Sequence, residues 1–415
     1  MLKSIASGDL SRRPPASNPE APTLICFSHL RWDFVYQRPQ HLLSRFARAS
    51  RVFYVEEPIF GAAVPQLDVS PRDNGLNVVV PRLPDGLSED ACHEFLRELI
   101  DELIVQESIT VFVSWYYTPM ALPWTRHLEP IVLVYDCMDE LSLFRGAPPE
   151  MVERERELIG LADVVFTGGS SLYEAKRERS DNVHCFPSSV DAAHFRQARV
   201  RRQDPADQAH IPHLRLGFAG VIDERMDIEL LDQLASARPE WHFVLVGPVV
   251  KISPDQLPQR PNLHYLGSKP YAELPSYMSG WDIALLPFAL NESTRFISPT
   301  KTPEYLAAGL PVVSTPIRDV VAPYGVAELA YIGHTAQEFI DAIESELDRS
   351  DVDRSRWLKR VDGFLSTMSW DRTQEKMSAL ITQVILNARE LREVPVAKTR
   401  RVATVASRYD VAMEA

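Results

Sequence analysis

From residue 23 the chain alternates short runs of consecutive apolar residues with longer stretches in which apolar positions recur every three or four residues. A continuous apolar run suits a strand buried on both faces, and the three-to-four repeat marks one face of a helix. "TLICF", "RVFYV", "NVVV", "TVFVS", "IVLVY" and "DVVFT" therefore predict six strands, with helices over about 38–48, 90–105 and 150–161. This α/β alternation predicts a parallel sheet wrapped by helices, a Rossmann-like domain over residues 23–195. Residues 196–213, "RQARVRRQDPADQAHIPH", lose the periodicity and gain charge and proline, as a linker between domains does. The alternation then restarts. "LRLGFAG", "HFVLVG", "NLHYLG", "WDIALLP" and "LPVVST" predict a second doubly wound parallel sheet over 214–369. Residues 370–394 place Met377, Leu380, Ile381, Val384 and Ile385 on one helical stripe that needs a surface to cover. Residues 1–22 and 395–415 show no such pattern and predict a disordered leader and tail.

Composition narrows the choice of partners. The 415 residues suffice for two cores, and a formal net charge of −13 argues against nucleic acid as a partner. Cys26, Cys92, Cys137 and Cys185 lie far apart, which suggests buried thiols in a reducing cytoplasm and no zinc site. No apolar run is long enough to span a bilayer, so any membrane contact is expected to be peripheral. Arg31, Arg38, Arg45, Arg48 and Arg51, clustered around one helix, suggest such contact with an anionic surface.

The stretch "SPTKTPEYLAAGLPVVST", residues 298–315, holds the most specific chemistry. Thr302 suits an N-cap, Pro303 the first helical position and Gly309 a left-handed C-cap, which predicts a short helix over "PEYLAA" followed by a strand. A helix N-terminus at the carboxyl edge of a parallel sheet offers unpaired amides and positive dipole to phosphate. Lys301 and the neighbouring Thr300 and Thr302 would add to that anion site, and Glu304 offers acceptors for the two hydroxyls of a ribose. Glu304 could instead simply complement the helix dipole.

The stretch resembles the C-terminal-domain signature of GT-B glycosyltransferases, P-x-x-x-E-(A/Y)-x-A-x-G-x-P-V. It is carried here by Pro299, Glu304, Tyr305, Ala307, Gly309, Pro311 and Val312, with one additional residue between the first proline and the glutamate. "P-x-x-V-D-x-x-x-F" before the linker and the Trp-initiated "MSWDRTQEKM" extend the likeness over nearly the whole chain, and the opening "HLRWDFVYQRPQHLL" is similar to bacterial polysaccharide transferases, including teichuronic-acid-type enzymes. The resemblance implies two Rossmann-like domains facing a cleft, a C-terminal helix crossing back to the first domain, and transfer of a sugar from a nucleotide-diphosphate donor to an acceptor hydroxyl. The donor is a substrate, so no cofactor and no metal are expected. The acceptor is expected to be a carbohydrate or lipid-linked. One departure stands out: many retaining relatives carry a glutamate eight residues before the ribose-binding one, and here that position is Phe296, with Glu292 nearby but at another spacing.

Further candidates follow from position. Gly220 and Arg225 lie after the first strand of the second domain, where relatives bind diphosphate, and Lys251 and Tyr265 follow the next strands. In the first domain His29, Arg31, Trp32, Asp33, Gln37 and Arg38 form an aromatic and basic loop placed to meet the acceptor. Asp136 and Asp139 end another strand; Asp136 is the first choice for a general base, with His29 as a further catalytic candidate. Two other classes use the same fold: a nucleotide-sugar 2-epimerase, which needs no acceptor loop, and a non-catalytic scaffold, which needs no Lys301/Glu304 pair.

Overall fold

The computed structural model describes residues 21–72, 75–200 and 203–393. The expected leader through residue 20 and the expected tail lie outside the described residues. In the first domain the strands are β1 (Thr23–Ser28), β2 (Val52–Glu56), β3 (Ile59–Phe60), β4 (Gln66–Pro71), β5 (Leu76–Leu83), β6 (Phe112–Tyr116), β7 (Val132–Cys137), β8 (Val164–Thr167) and β9 (Val183–Cys185). In the second they are β10 (Arg215–Ala219), β11 (His242–Val246), β12 (Leu263–Gly267), β13 (Ile283–Leu286), β14 (Val312–Ser314) and β15 (Ala330–Ile332).

The first sheet runs β3-β5-β2-β1-β6-β7-β8-β9, and the second runs β12-β11-β10-β13-β14-β15. All six predicted strands of the first domain and all five of the second are present. Both sheets reverse direction beside their first strand, at β1/β6 and at β10/β13. Such a switch point opens a crevice at the carboxyl edge, where doubly wound sheets hold ligands. The pairing is parallel throughout except for β4, which runs antiparallel to β5. β4 is largely exposed, with only Leu67 and Ser70 half-buried, so it lacks the apolar run that marked its neighbours.

The central strands β1, β2, β6, β7 and β8 are buried along almost their whole length because helices cover both faces. On one of these faces lie Trp370, Met377 and Ile381 of the terminal helix Trp370–Glu393, packed with Trp115, Phe46 and Tyr54 of the first domain. The return stripe thus finds its surface at the far end of the chain.

The boundary between the domains needs correction. Val190, Phe195, Ala198 and Ile211 are buried in the core of the second domain, so the chain crosses over before residue 190. The expected linker is folded into that domain: Gln208 accepts from the Trp281 indole at 2.9 Å, and Arg199 donates to the Ala307 carbonyl at 2.8 Å. Arg199, Asp204 and Asp207 find partners in that domain, in Asp362, Arg215 and Lys269, which is why polarity alone suggested a tether.

Candidate active site

The carboxyl edges of the two sheets face each other across two adjoining chambers. The first, about 120 Å³, has Gln37, Arg38, Met138 and Asp139 on the first-domain side and Gly220, Arg225, Ser298, Thr300 and Lys301 on the other. The second, about 310 Å³, lies between the loop Trp32–Tyr36 and the backbone of Gly220, Gly247, Pro248 and Ser268. Lys301 and Gly220 line both.

Gly220 and Gly247 make that common wall possible. Gly247 adopts φ +150, and a Cβ there would stand 1.7 Å from the Gly220 carbonyl oxygen. No side chain fits, so the ends of β10 and β11 present bare backbone to the second chamber. Gly247→Ala is expected to lower Tm by several degrees and to weaken nucleotide binding, measured by thermal unfolding with and without UDP.

Lys301 opens the helix Lys301–Ala308, which starts two residues earlier than the sequence suggested. Thr300 holds the cap position without a side-chain bond, and Gly309 closes the helix at φ 81 as expected. Thr302 is therefore inside the helix, fully buried with its hydroxyl unpartnered, and it caps nothing. The Lys301 Nζ donates to Glu304 Oε2 at 3.2 Å. Glu304 is 3% exposed, and burial pushes its carboxyl up against the opposing pull of Lys301. It stands beneath Lys301, away from the lining of both chambers. Tyr305 anchors the helix by accepting from the Ala219 amide at 2.7 Å, at the end of β10.

Arg225 faces the first chamber, but its guanidinium is forked onto Asp223 at 2.7–3.1 Å and lies over the Phe144 ring. Lys251 lies over the same ring, 4.8 Å from the Phe144 centroid and 3.5 Å from Glu224. It lines neither chamber. Tyr265 packs on the second-domain core and donates to the Pro258 carbonyl, which is a structural role.

On the first-domain side the two aspartates separate sharply. Asp136 is fully buried and receives Arg38 at 2.7–3.1 Å through Nε and Nη2, while Arg38 Nη1 donates to the Phe186 carbonyl. A carboxylate so enclosed has no face for an acceptor hydroxyl, which removes the geometric basis for Asp136 as first-choice base. Asp139 instead lines the first chamber, and burial pushes its carboxyl up to about 6 despite Arg225, Arg38 and Lys251 nearby. A carboxyl in this range is suited to proton transfer near neutral pH. His29 lines neither chamber; burial and the Lys251 charge lower it to about 4, so the ring is neutral.

If Asp136 is structural, Asp136→Ala strands the Arg38 charge in the interior. The expected loss is about 3–5 kcal/mol. Thermal unfolding checks this, and an unchanged Tm would return Asp136 to the list of free catalytic groups.

The acceptor loop also divides. Arg31 donates to Glu56 and to the carbonyls of Glu57 and Pro58, and so braces the loop. The Trp32 amide donates to Glu56, and its ring packs edge-on against Tyr54. Asp33 pairs with Arg72. Trp32 and Asp33 nevertheless border the second chamber, together with the Gly220 and Gly247 backbone, while Gln37 and Arg38 border the first. The arginine cluster supplies no free basic face: Arg45 and Arg48 pair with Asp371, Arg51 with Glu107, Arg31 with Glu56 and Arg38 with Asp136.

Phe296 packs against the core of the first domain, and its neighbour Arg295 lies over its ring. Glu292 is exposed, close to Arg295, and does not reach the chamber. Sequence reasoning missed Asp319, which reaches across the cleft to accept from the Ser171 amide at 3.1 Å. Ser188 likewise donates to the Ser298 carbonyl at 3.3 Å, a second contact beside the cleft.

Two facing Rossmann-like domains and a terminal helix returning to the first make up the GT-B fold, with Lys301 at a helix N-terminus in its cleft. Residues 214–349 match the family Glycosyl transferases group 1. It is 26% identical over 297 residues to TuaH of Bacillus subtilis (strain 168), named as a teichuronic acid biosynthesis glycosyltransferase, covering 66% of this chain and 73% of that one. Among solved structures, the E. coli trehalose-6-phosphate protein bound with UDP-2-fluoro glucose superposes with a TM-score of 0.65 at 11% identity, covering 88% of this chain and 99% of that one. Sucrose-phosphate synthase of Thermosynechococcus elongatus gives 0.63 at 16% identity, covering 88% and 100%. Anabaena HepE in complex with UDP and glucose gives 0.63 at 13%, covering 87% and 100%.

Proposed function

We propose that the chain transfers a sugar from a UDP-linked donor to a hydroxyl of a carbohydrate or lipid-linked acceptor, in the synthesis of a bacterial cell-surface polysaccharide or glycolipid. The observation that carries this reading is Lys301, at a helix N-terminus on the wall common to two chambers. A diphosphate at that wall would leave the nucleoside in the larger chamber, against the bare backbone at Gly247 and Ser268. The sugar would lie in the smaller chamber beside Asp139. Solved relatives of the same fold bound to UDP-2-fluoro glucose, or to UDP and glucose, support a uridine donor. The likeness to TuaH supports a cell-surface product.

In this mechanism the ammonium of Lys301, the guanidinium of Arg225 and the amides of the helix N-terminus stabilise charge on the departing diphosphate. These groups supply the positive charge that a divalent ion supplies elsewhere, so the reaction is proposed to be metal-independent. Diphosphate would draw Lys301 away from Glu304 and free that carboxylate for the ribose hydroxyls. Asp139 orients the acceptor hydroxyl and takes its proton as the bond to the anomeric carbon forms. The closed cleft keeps water from competing. No helix among the described residues is long and apolar enough to cross a membrane, and the enzyme is proposed to work in the cytoplasm.

The test is incubation of the purified protein with UDP-glucose, UDP-N-acetylglucosamine, UDP-glucuronate or GDP-mannose in the presence of EDTA. Release of UDP from at least one uridine donor, undiminished by the chelator, is expected. Conversion of a donor to its 2-epimer without release of UDP would replace this reading with the epimerase one.

A further inference from the structure

A third chamber, about 320 Å³, lies wholly within the first domain and plays no part in the donor reading. It opens at the carboxyl ends of β1, β2 and β6, where Ser28, Glu56, Glu57 and Thr118 contribute to its wall. Its body is apolar and aromatic. Phe27 and Trp124 meet edge-on there with centroids 5.3 Å apart, and Phe60 stands at the mouth half in solvent.

The polar groups on this wall are unequally occupied. Glu56 is taken by Arg31 and by the Trp32 amide. Glu89 is taken by Arg154 at 2.6 Å. The Glu57 carboxylate makes no hydrogen bond or ion pair among the described residues and stands on the solvent-exposed rim, where the surrounding protein raises it and the nearby Arg31 charge lowers it. An acceptor-only group beside aromatic faces calls for a ligand with hydroxyl donors on its edge and C–H groups on its face. A pyranose ring has both.

The chamber is also correctly placed for such a ligand. Strands β2, β1, β6 and β7 are successive neighbours, so the end of β2 is about 14 Å from the end of β7, at about 4.8 Å per strand. β7 leads directly into Asp139. A saccharide chain running along the carboxyl edge could put one unit at Asp139 and an earlier unit in this chamber.

We propose that the chamber bounded by Phe60, Trp124 and Glu57 is a distal subsite for a sugar unit of the acceptor, a few units behind the hydroxyl that is glycosylated. The proposal rests on the transferase reading and adds that the acceptor is a saccharide chain recognised over more than one unit. Phe60 stacks on the ring and Glu57 accepts from its hydroxyls. Selection for a particular preceding sugar follows from the fit of its ring to Phe60 and of its hydroxyls to Glu57.

The experiment is saturation-transfer NMR on the full chain with UDP present, using cellobiose, maltose and N,N′-diacetylchitobiose as probes. At least one disaccharide is expected to bind, and Phe60→Ala and Glu57→Gln are each expected to weaken it by roughly fivefold, the scale of one aromatic contact or hydrogen bond. Phe60 is 50% exposed, so its replacement leaves the core packing in place. Both variants should keep the wild-type rise in Tm with UDP. Binding unaffected by either substitution, or no binding of any of the three disaccharides, overturns the subsite. Failure of UDP to stabilise the wild type overturns instead the donor reading beneath it.

Discussion

Asp139→Asn is expected to lower kcat by about 10²–10⁴-fold, the usual range for loss of a positioned proton acceptor. The carboxyl is pushed up to about 6 by burial, so wild-type turnover should fall as pH drops through that value. In Asp139→Asn this acid limb should vanish along with the rate. The same shift affects stability with a definite sign. Between its ordinary value of 3.8 and about 6 the native state keeps a proton that the unfolded chain has released. The native state is therefore penalised progressively as pH rises through this window, and the full penalty applies above it. Asp139→Asn should accordingly unfold at a higher temperature than wild type at neutral pH, with the advantage shrinking as the solution is acidified towards pH 4. A lower Tm at neutral pH would mean that Asp139, like Asp136, is held by structural partners.

The second large effect belongs to Lys301→Ala. A charge-assisted bond to phosphate contributes roughly 1.5–3 kcal/mol, so UDP affinity measured by calorimetry should fall by roughly 10–100-fold. Turnover should fall further, because charge on the diphosphate is greatest as the sugar departs. The variant also leaves Glu304 buried without its cation, and stability should drop. Lys301→Ala combined with Glu304→Gln separates the two consequences. The pair should regain Tm while UDP affinity stays low. Recovery of affinity in the double variant would show that Lys301 acts only through Glu304.

Much of this architecture was legible in the chain because buried parallel strands write themselves as continuous apolar runs. Strands that are not buried on both faces did not. β4 lies on a sheet margin with most of its residues exposed, and β9 and β15 are only three residues long. The start of the Lys301 helix was misjudged for a related reason. The first amides of a helix have no internal partner, so Pro303 fits at more than one position of the first turn, and its presence does not fix the cap.

Pairing across long sequence separations was the part hidden from the sequence. Asp136 and Asp139 looked alike at the end of one strand, and nothing local indicated that Arg38, 98 positions earlier, closes over Asp136. The arginines around the first helix suggested a basic face until Asp371, on the terminal helix, was seen to take two of them. The signature around Glu304 marked a helix that opens on the cleft, yet it could not show that the glutamate pairs with Lys301 and stays off the chamber wall.

The central claim is that a nucleoside diphosphate occupies the larger cleft chamber, with its phosphates at Lys301. The most direct measurement compares the Tm of the wild-type protein alone, with saturating UDP and with uridine at the same concentration. A ligand that binds only the folded state raises Tm. The structure predicts a clear rise with UDP and little or none with uridine, since the diphosphate makes the contacts at the helix N-terminus. No rise with UDP, or equal rises with UDP and uridine, would contradict it.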